Sequence, residues 1–99
     1  MELQNLAKQV NDYVISHGGY WDIPWLLAAI TEELGELARA LQDYLNIRNF
    51  EKKRQLESPL QFVKEECGDL MFSLLCLTNF LEIDLANALL KTLDKYSTR

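Results

Sequence analysis

Two segments of the chain set acidic side chains one helical turn apart: Glu32-Glu33-Leu34-Gly35-Glu36 and Glu65-Glu66-Cys67-Gly68-Asp69. On an α-helix, residues at i and i+3 are neighbours on one face, so Glu33 with Glu36, and Glu66 with Asp69, can each reach a single ion. Four carboxylates gathered in a partly desolvated cluster repel one another, at an effective cost of several kcal/mol per unpaired ion. No Lys or Arg on these two segments is placed to neutralise all four. A cation of charge two or more offsets the repulsion most simply. Helical bundles that bind two irons combine glutamates with Glu-x-x-His, whereas the lone histidine here, His17, lies outside both acidic segments. All-oxygen ligands select hard ions, Mg²⁺ first and Mn²⁺ second, and such sites keep positions open for water and phosphate oxygens.

The elements that must carry these acids are helices. The chain has 99 residues, is 48% hydrophobic and holds only 4 Gly and 2 Pro, which fits one all-α domain over residues 1–99. A first helix is expected over 2–16, with Leu3, Leu6, Val10, Tyr13 and Val14 on one face and His17-Gly18-Gly19 as its stop. His17 reads as a solvated capping residue. Asp22 and Pro24 open a second helix, expected to run to about 46, with Leu26, Leu27, Ile30, Leu34, Leu37, Leu41 and Leu45 as its apolar stripe. Ser58 and Pro59 open a third helix, to about 81, and Asp84 a fourth, from 85 to near the C-terminus. Between the second and third helices lies a polar, basic connector with Arg48, Lys52, Lys53 and Arg54, read as a solvated loop.

Wheel position sharpens the acid pairs. Glu33 falls at the edge of the apolar stripe and Glu36 about 60° beyond it, with Ala29 and Ala40 between them in angle. On the third helix, Val63, Leu70 and Leu74 flank Glu66, and Ser73 lies between Glu66 and Asp69. If the two helices form an antiparallel hairpin, at roughly 1.5 Å per residue the two pairs differ in height by only a few ångströms. A single ExxE is common on a solvated helix face. Two acid pairs, each beside a small residue and an apolar wall and matched in height, point to a metal site.

Composition bounds the rest. A net charge of -5 argues against a protein that grips a nucleic-acid backbone. Cys67 and Cys76 lie on opposite sides of the third helix, cannot bridge each other within it, and read as core residues in a reducing compartment. The run Leu70–Leu77, interrupted by Ser73, is too short to span a membrane, so a soluble, cytoplasmic protein is expected. The third helix is apolar nearly all round between Leu70 and Leu81, more than three short neighbours can cover. A homodimer or homotetramer is therefore expected, with this helix near the subunit interface.

At the acidic segments the sequence resembles the MazG-like all-α nucleotide pyrophosphohydrolase superfamily, whose pattern is EExxE followed by ExxD. The resemblance runs through EELGELARAL and EECGDLMFSLLCLTN and covers most of the chain from residue 20 onward. It implies an antiparallel helical bundle of about four helices per chain. It also implies Mg²⁺-dependent hydrolysis of a nucleoside triphosphate to the monophosphate and pyrophosphate, with removal of noncanonical or excess nucleotides as the role. By position, Glu33, Glu36, Glu66 and Asp69 match the metal ligands, and Glu32 matches the acid that orients or deprotonates the attacking water. Lys95 and Arg99 fit the family's spacing for phosphate contacts, with Lys91 a nearby substitute, although Leu93-Asp94 stands where an asparagine often precedes the lysine. Trp21 and Trp25 precede the first motif, as stacking partners for the base or as anchors of the helix entry. Two other readings are a phosphoribosyl-ATP pyrophosphatase-like enzyme of the same fold and a non-catalytic helical interaction module.

Overall fold

The computed structural model describes residues 2–45 and 59–98. Within them the chain forms α1 (Leu3–Ser16), α2 (Ile23–Tyr44), α3 (Pro59–Phe80) and α4 (Leu85–Ser97), and no strand. Each helix lies within two residues of the bounds expected from periodicity and punctuation. The proposed cap Ser58 and the basic connector lie outside the described residues.

The helix ends are chemically explicit. His17 caps the C-terminus of α1, then Gly18 and Gly19 take φ of 107° and 90°, and the Gly19 amide donates to Val14 O at 2.9 Å. This is the six-to-one bond of a Schellman motif, which favours glycine for its left-handed backbone. The Asp22 carboxylate accepts from the Ile23 amide at 2.8 Å, and that of Asp84 from the Asn87 amide at 3.1 Å, so both expected caps act. Between α3 and α4 the backbone bends by 104°. Ile83 donates to Thr78 O and Glu82 to Asn79 O, a second Schellman motif, with Glu82 left-handed at φ 56°.

α2 and α3 pack antiparallel. Leu26 near the start of α2 meets Cys76 near the end of α3, while Glu33 further along α2 meets Glu66 and Asp69 earlier on α3. α1 also runs antiparallel to α3: the Asn79 side chain donates to Ala7 O at 2.9 Å, and Tyr13 meets Phe72 edge-on at 5.9 Å. The Tyr20 hydroxyl donates to Asn11 at 2.7 Å, and its ring lies 6.2 Å from Phe80.

The buried core is small: Val14, Leu26, Ala40, Leu75 and Cys76, with Thr78. α4 buries no residue. The apolar stripe of α2 is divided: Leu26 faces inward, Ile30 and Leu37 are half-buried, and Leu27, Leu34 and Leu41 are exposed. The reason lies in side-chain size. α3 settles against the side of α2 that carries Ala29, Glu33 and Ala40, where small residues permit close approach, and Ala40 is wholly buried there. One expectation is corrected. Cys67 is exposed rather than in the core, while Cys76 is buried. Trp25, offered as a stacking partner or a helix-entry anchor, is 68% exposed.

Candidate active site

The antiparallel packing of α2 on α3 brings three acids together. Carboxylate oxygens of Glu33, Glu66 and Asp69 all lie within 4.8 Å of one another. Glu33 and Glu66 are half-buried and Asp69 is exposed. One oxygen of Glu66, Oε2, is withdrawn from solvent. Glu36, half-buried one turn further along α2, stands outside this triad: it is Glu33 whose wheel position faces α3.

The electrostatics agree with the geometry. The Glu33 carboxyl is pushed above its ordinary value of 4.5, first by burial and then by the charges of Asp69, Glu66, Glu32 and Glu36. Four acids from two helices thus act on a fifth, Glu33. The donor set is entirely oxygen and anionic, it spans a distance one ion can bridge, and its own repulsion disfavours the metal-free form. It fits a hard divalent cation.

Beside the triad lies a cavity of about 470 Å³ between α1, α2 and α3. Glu32, Glu33 and Asp69 stand at its wall, and Ala29 and Ser73, the small residues noted between the acids, line it too. The remaining wall is largely aromatic: Tyr13, His17, Tyr20, Trp21 and Phe72. Trp21 reaches this cavity; Trp25 does not line it, and lies with Trp21 and Asp22 at a separate recess.

The aromatic wall was only partly legible beforehand. Tyr13 and His17 stack, with centroids 4.0 Å apart and planes 22° from parallel. His17 Nδ1 lies 2.8 Å from Tyr13 O and 2.9 Å from Ser16 Oγ, and the Ser16 hydroxyl donates to the same carbonyl at 2.7 Å. A carbonyl oxygen only accepts, so neutral His17 carries its proton on Nδ1 and leaves Nε2 as an acceptor. The i,i+4 spacing of Tyr13 and His17 was the available signal for this pairing.

Lys91 and Lys95 are exposed on α4, and neither lines the cavity; Lys95 lies 5.3 Å from the centre of the Tyr96 ring. Arg99 lies outside the described residues.

Comparison with known proteins gives the family. Residues 24–99 match the model of the MazG nucleotide pyrophosphohydrolase domain, and the chain belongs to that family. It is 40% identical over 98% of its length to YpjD of Bacillus subtilis (strain 168), described as an uncharacterized protein, of which it covers 85%. It also superposes with a TM-score of 0.78 and 30% identity on the crystal structure of the Bacillus-conserved MazG protein, a nucleotide pyrophosphohydrolase, covering 97% of this chain and 90% of that one. The all-helical fold and the enzyme class, a nucleotide pyrophosphohydrolase, follow from these likenesses. Among the described residues no single helix is long and apolar enough to cross a membrane.

Proposed function

We propose that the chain, acting as one domain over residues 1–99, hydrolyses ribo- or deoxyribonucleoside triphosphates to the monophosphate and pyrophosphate. We assign its dependence to Mg²⁺, with Mn²⁺ as a substitute. The observation that carries the reading is the triad of Glu33, Glu66 and Asp69 at the wall of an aromatic-lined cavity. These three residues, with Glu36 one turn away, would hold the metal. When bound, a divalent ion offsets phosphate charge and lowers the pKa of water.

The chain's own residues supply the rest. The aromatic wall gives the base a face to stack on, led by Tyr13, His17 and Trp21, and the cavity is large enough for a nucleoside. Glu32, exposed at the same wall, takes the proton from the water that attacks the α-phosphorus, and the bond to the bridging oxygen breaks to release pyrophosphate. Lys91, Lys95 and Arg99 remain the candidate phosphate contacts; Lys91 and Lys95 do not line the cavity and would act from another chain of a homodimer or homotetramer. The role is removal of noncanonical or excess nucleotides in a reducing, cytoplasmic setting, consistent with two free cysteines.

The test is pyrophosphate release from a panel of NTPs and dNTPs, with and without Mg²⁺. Metal-dependent release from at least one is expected, and none from any would refute the reading. Phosphoribosyl-ATP, added to the panel, separates the related pyrophosphatase activity. The double variant Glu36→Gln/Asp69→Asn should lose turnover while keeping its helical signal; retained turnover would refute the ligand assignment.

A further inference from the structure

We infer that His17 reads the edge of the nucleobase: its Nε2 accepts a hydrogen bond from an exocyclic amine, so the site prefers cytosine or adenine nucleotides to their deaminated counterparts. The inference rests on the nucleotide reading above and names the bases that reading admits.

The His17 ring is held in two ways. One face stacks on Tyr13 at 4.0 Å. Nδ1 faces two oxygens, Tyr13 O at 2.8 Å and Ser16 Oγ at 2.9 Å. The Ser16 hydroxyl donates its single proton to the same carbonyl at 2.7 Å, so toward the ring it only accepts. Two acceptors at Nδ1 place the proton of the neutral ring there. The two nitrogens of an imidazole point nearly opposite ways, so the Nε2 lone pair points away from the α1 backbone. His17 is exposed and lines the cavity, which leaves that lone pair to a ligand.

Packing sets His17 across the cavity from the acids. α1 runs antiparallel to α3, and Tyr13 meets Phe72 at 5.9 Å. His17, one turn beyond Tyr13, therefore comes level with Asp69, one turn before Phe72. A nucleotide whose phosphates lie at the acids extends its base toward the end of α1. The other polar groups of that wall are less suited to read it. The Tyr20 hydroxyl is engaged, donating to Asn11 at 2.7 Å. Trp21, 64% exposed, offers a donor only. His17 carries an acceptor whose direction the protein fixes.

Bases differ at the atom this acceptor meets. Cytosine N4 and adenine N6 are amines, whereas uracil, thymine and hypoxanthine carry a carbonyl oxygen there. An amine donates to Nε2; a carbonyl sets lone pair against lone pair. The ring N3–H of uracil does not substitute for the amine, because two carbonyl oxygens flank it. The role proposed above is thereby narrowed to amine-bearing nucleotides, with the deaminated ones as poorer substrates. One hydrogen bond, net of water, shifts an equilibrium by about 2- to 10-fold, and the opposed lone pairs add to it, so discrimination on the order of tenfold is expected.

The experiment measures kcat/KM for pyrophosphate release with Mg²⁺ from two pairs, dCTP against dUTP and dATP against dITP. It is run at about pH 8.5, where an imidazole is neutral, on the natural chain and on His17→Phe. Phe keeps a ring against Tyr13 and lacks the acceptor. In the natural chain the amine-bearing member of at least one pair should lead by on the order of tenfold, and the pair that shows it tells which ring size the cavity takes. His17→Phe should bring that ratio to within about twofold, through a raised KM for the amine rather than a lowered kcat. A ratio taken within one preparation does not depend on how much of it is folded, so a damaged fold cannot imitate the loss. Equal turnover within both pairs, a lead for dUTP or dITP, or a ratio kept in His17→Phe would overturn the assignment and leave the nucleotide reading standing. So would a chain that hydrolyses other nucleotides but neither dCTP nor dATP. No release from any nucleotide of the wider panel would overturn the nucleotide reading and this inference with it.

Discussion

Replacing Glu33 by Gln removes one charge from the acid triad while keeping side-chain volume. In the metal-free protein this should stabilise the fold. Two unit charges at the 4.8 Å that bounds the triad repel by about 0.9 kcal/mol in water and about 3.5 kcal/mol at an effective dielectric of 20. Glu33 faces two such partners, Glu66 and Asp69. Asp69 is exposed and salt screens it, which puts each pair near the low end, so the expected gain is about 1–2 kcal/mol. For a chain of this size that is a rise in melting temperature of about 5–10 °C. The pH dependence has a definite sign. Folding raises the Glu33 carboxyl above its ordinary 4.5, so the folded state holds the proton more tightly. The stability this confers is complete below about 4.5 and is lost as pH rises through the raised value. Natural chain and variant should therefore melt alike at the acid end and diverge toward neutral pH, the variant becoming the more stable. The assay is thermal unfolding in EDTA across pH, repeated with saturating Mg²⁺. A hundredfold excess of ion over its dissociation constant adds about 2.7 kcal/mol to any form that binds it, so metal should favour the natural chain and reverse the order. A variant no more stable than the natural chain in EDTA at neutral pH would refute the claim that these carboxylates repel one another in the fold.

Three further outcomes follow from the packing. Leu26→Ala, which empties a core position packed with Val14 and Cys76, should destabilise by about 2–4 kcal/mol in urea titration. Under native conditions one thiol, Cys67, should react with a disulfide reagent at once, while Cys76, buried and with its thiol pushed above the ordinary 9.0, should react only on unfolding; peptide mapping of the labelled chain checks this. His17→Ala, which removes one ring of the stacked pair at the cavity wall, should raise KM for the best nucleotide several-fold while leaving kcat within about twofold, as loss of uniform binding does. An unchanged KM would take His17 out of the base-contacting wall.

Much of this was legible because it rests on local rules. Asp22 and Asp84 cap helices by the reach of one carboxylate to a nearby amide, and the glycine pair at 18 and 19 ends α1 by backbone freedom. The acid pairs were legible for the same reason: i,i+3 spacing is a property of one helix. What escaped was the choice of packing face. The wheel of α2 shows one wide apolar stripe, and an apolar stripe by itself does not say which neighbour covers which edge. The same holds for α3, apolar nearly all round beyond Leu70, where Cys67 was read as core and is exposed. The aromatic wall escaped more fully: spacing within α1 pairs Tyr13 with His17, but Phe72 joins them only when α1 lies along α3, a tertiary fact that no spacing within one segment encodes.

The position of Glu33 explains why the fold tolerates a repulsive cluster. A carboxylate at the centre of a tightly packed helix contact would be neutralised by protonation or expelled. At the edge of the α2–α3 contact, the small Ala29 and Ser73 instead leave a cavity in which one side of the acid stays accessible. Wholly buried Ala40 holds the helices close further along α2, so the approach that brings Glu33 to Glu66 is fixed away from the charges themselves. Energy from apolar packing at Leu26, Ala40 and Cys76 thus offsets the repulsion among the acids. A divalent cation at the cluster would offset the repulsion felt by Glu33, and that relief is what would make the ion bind.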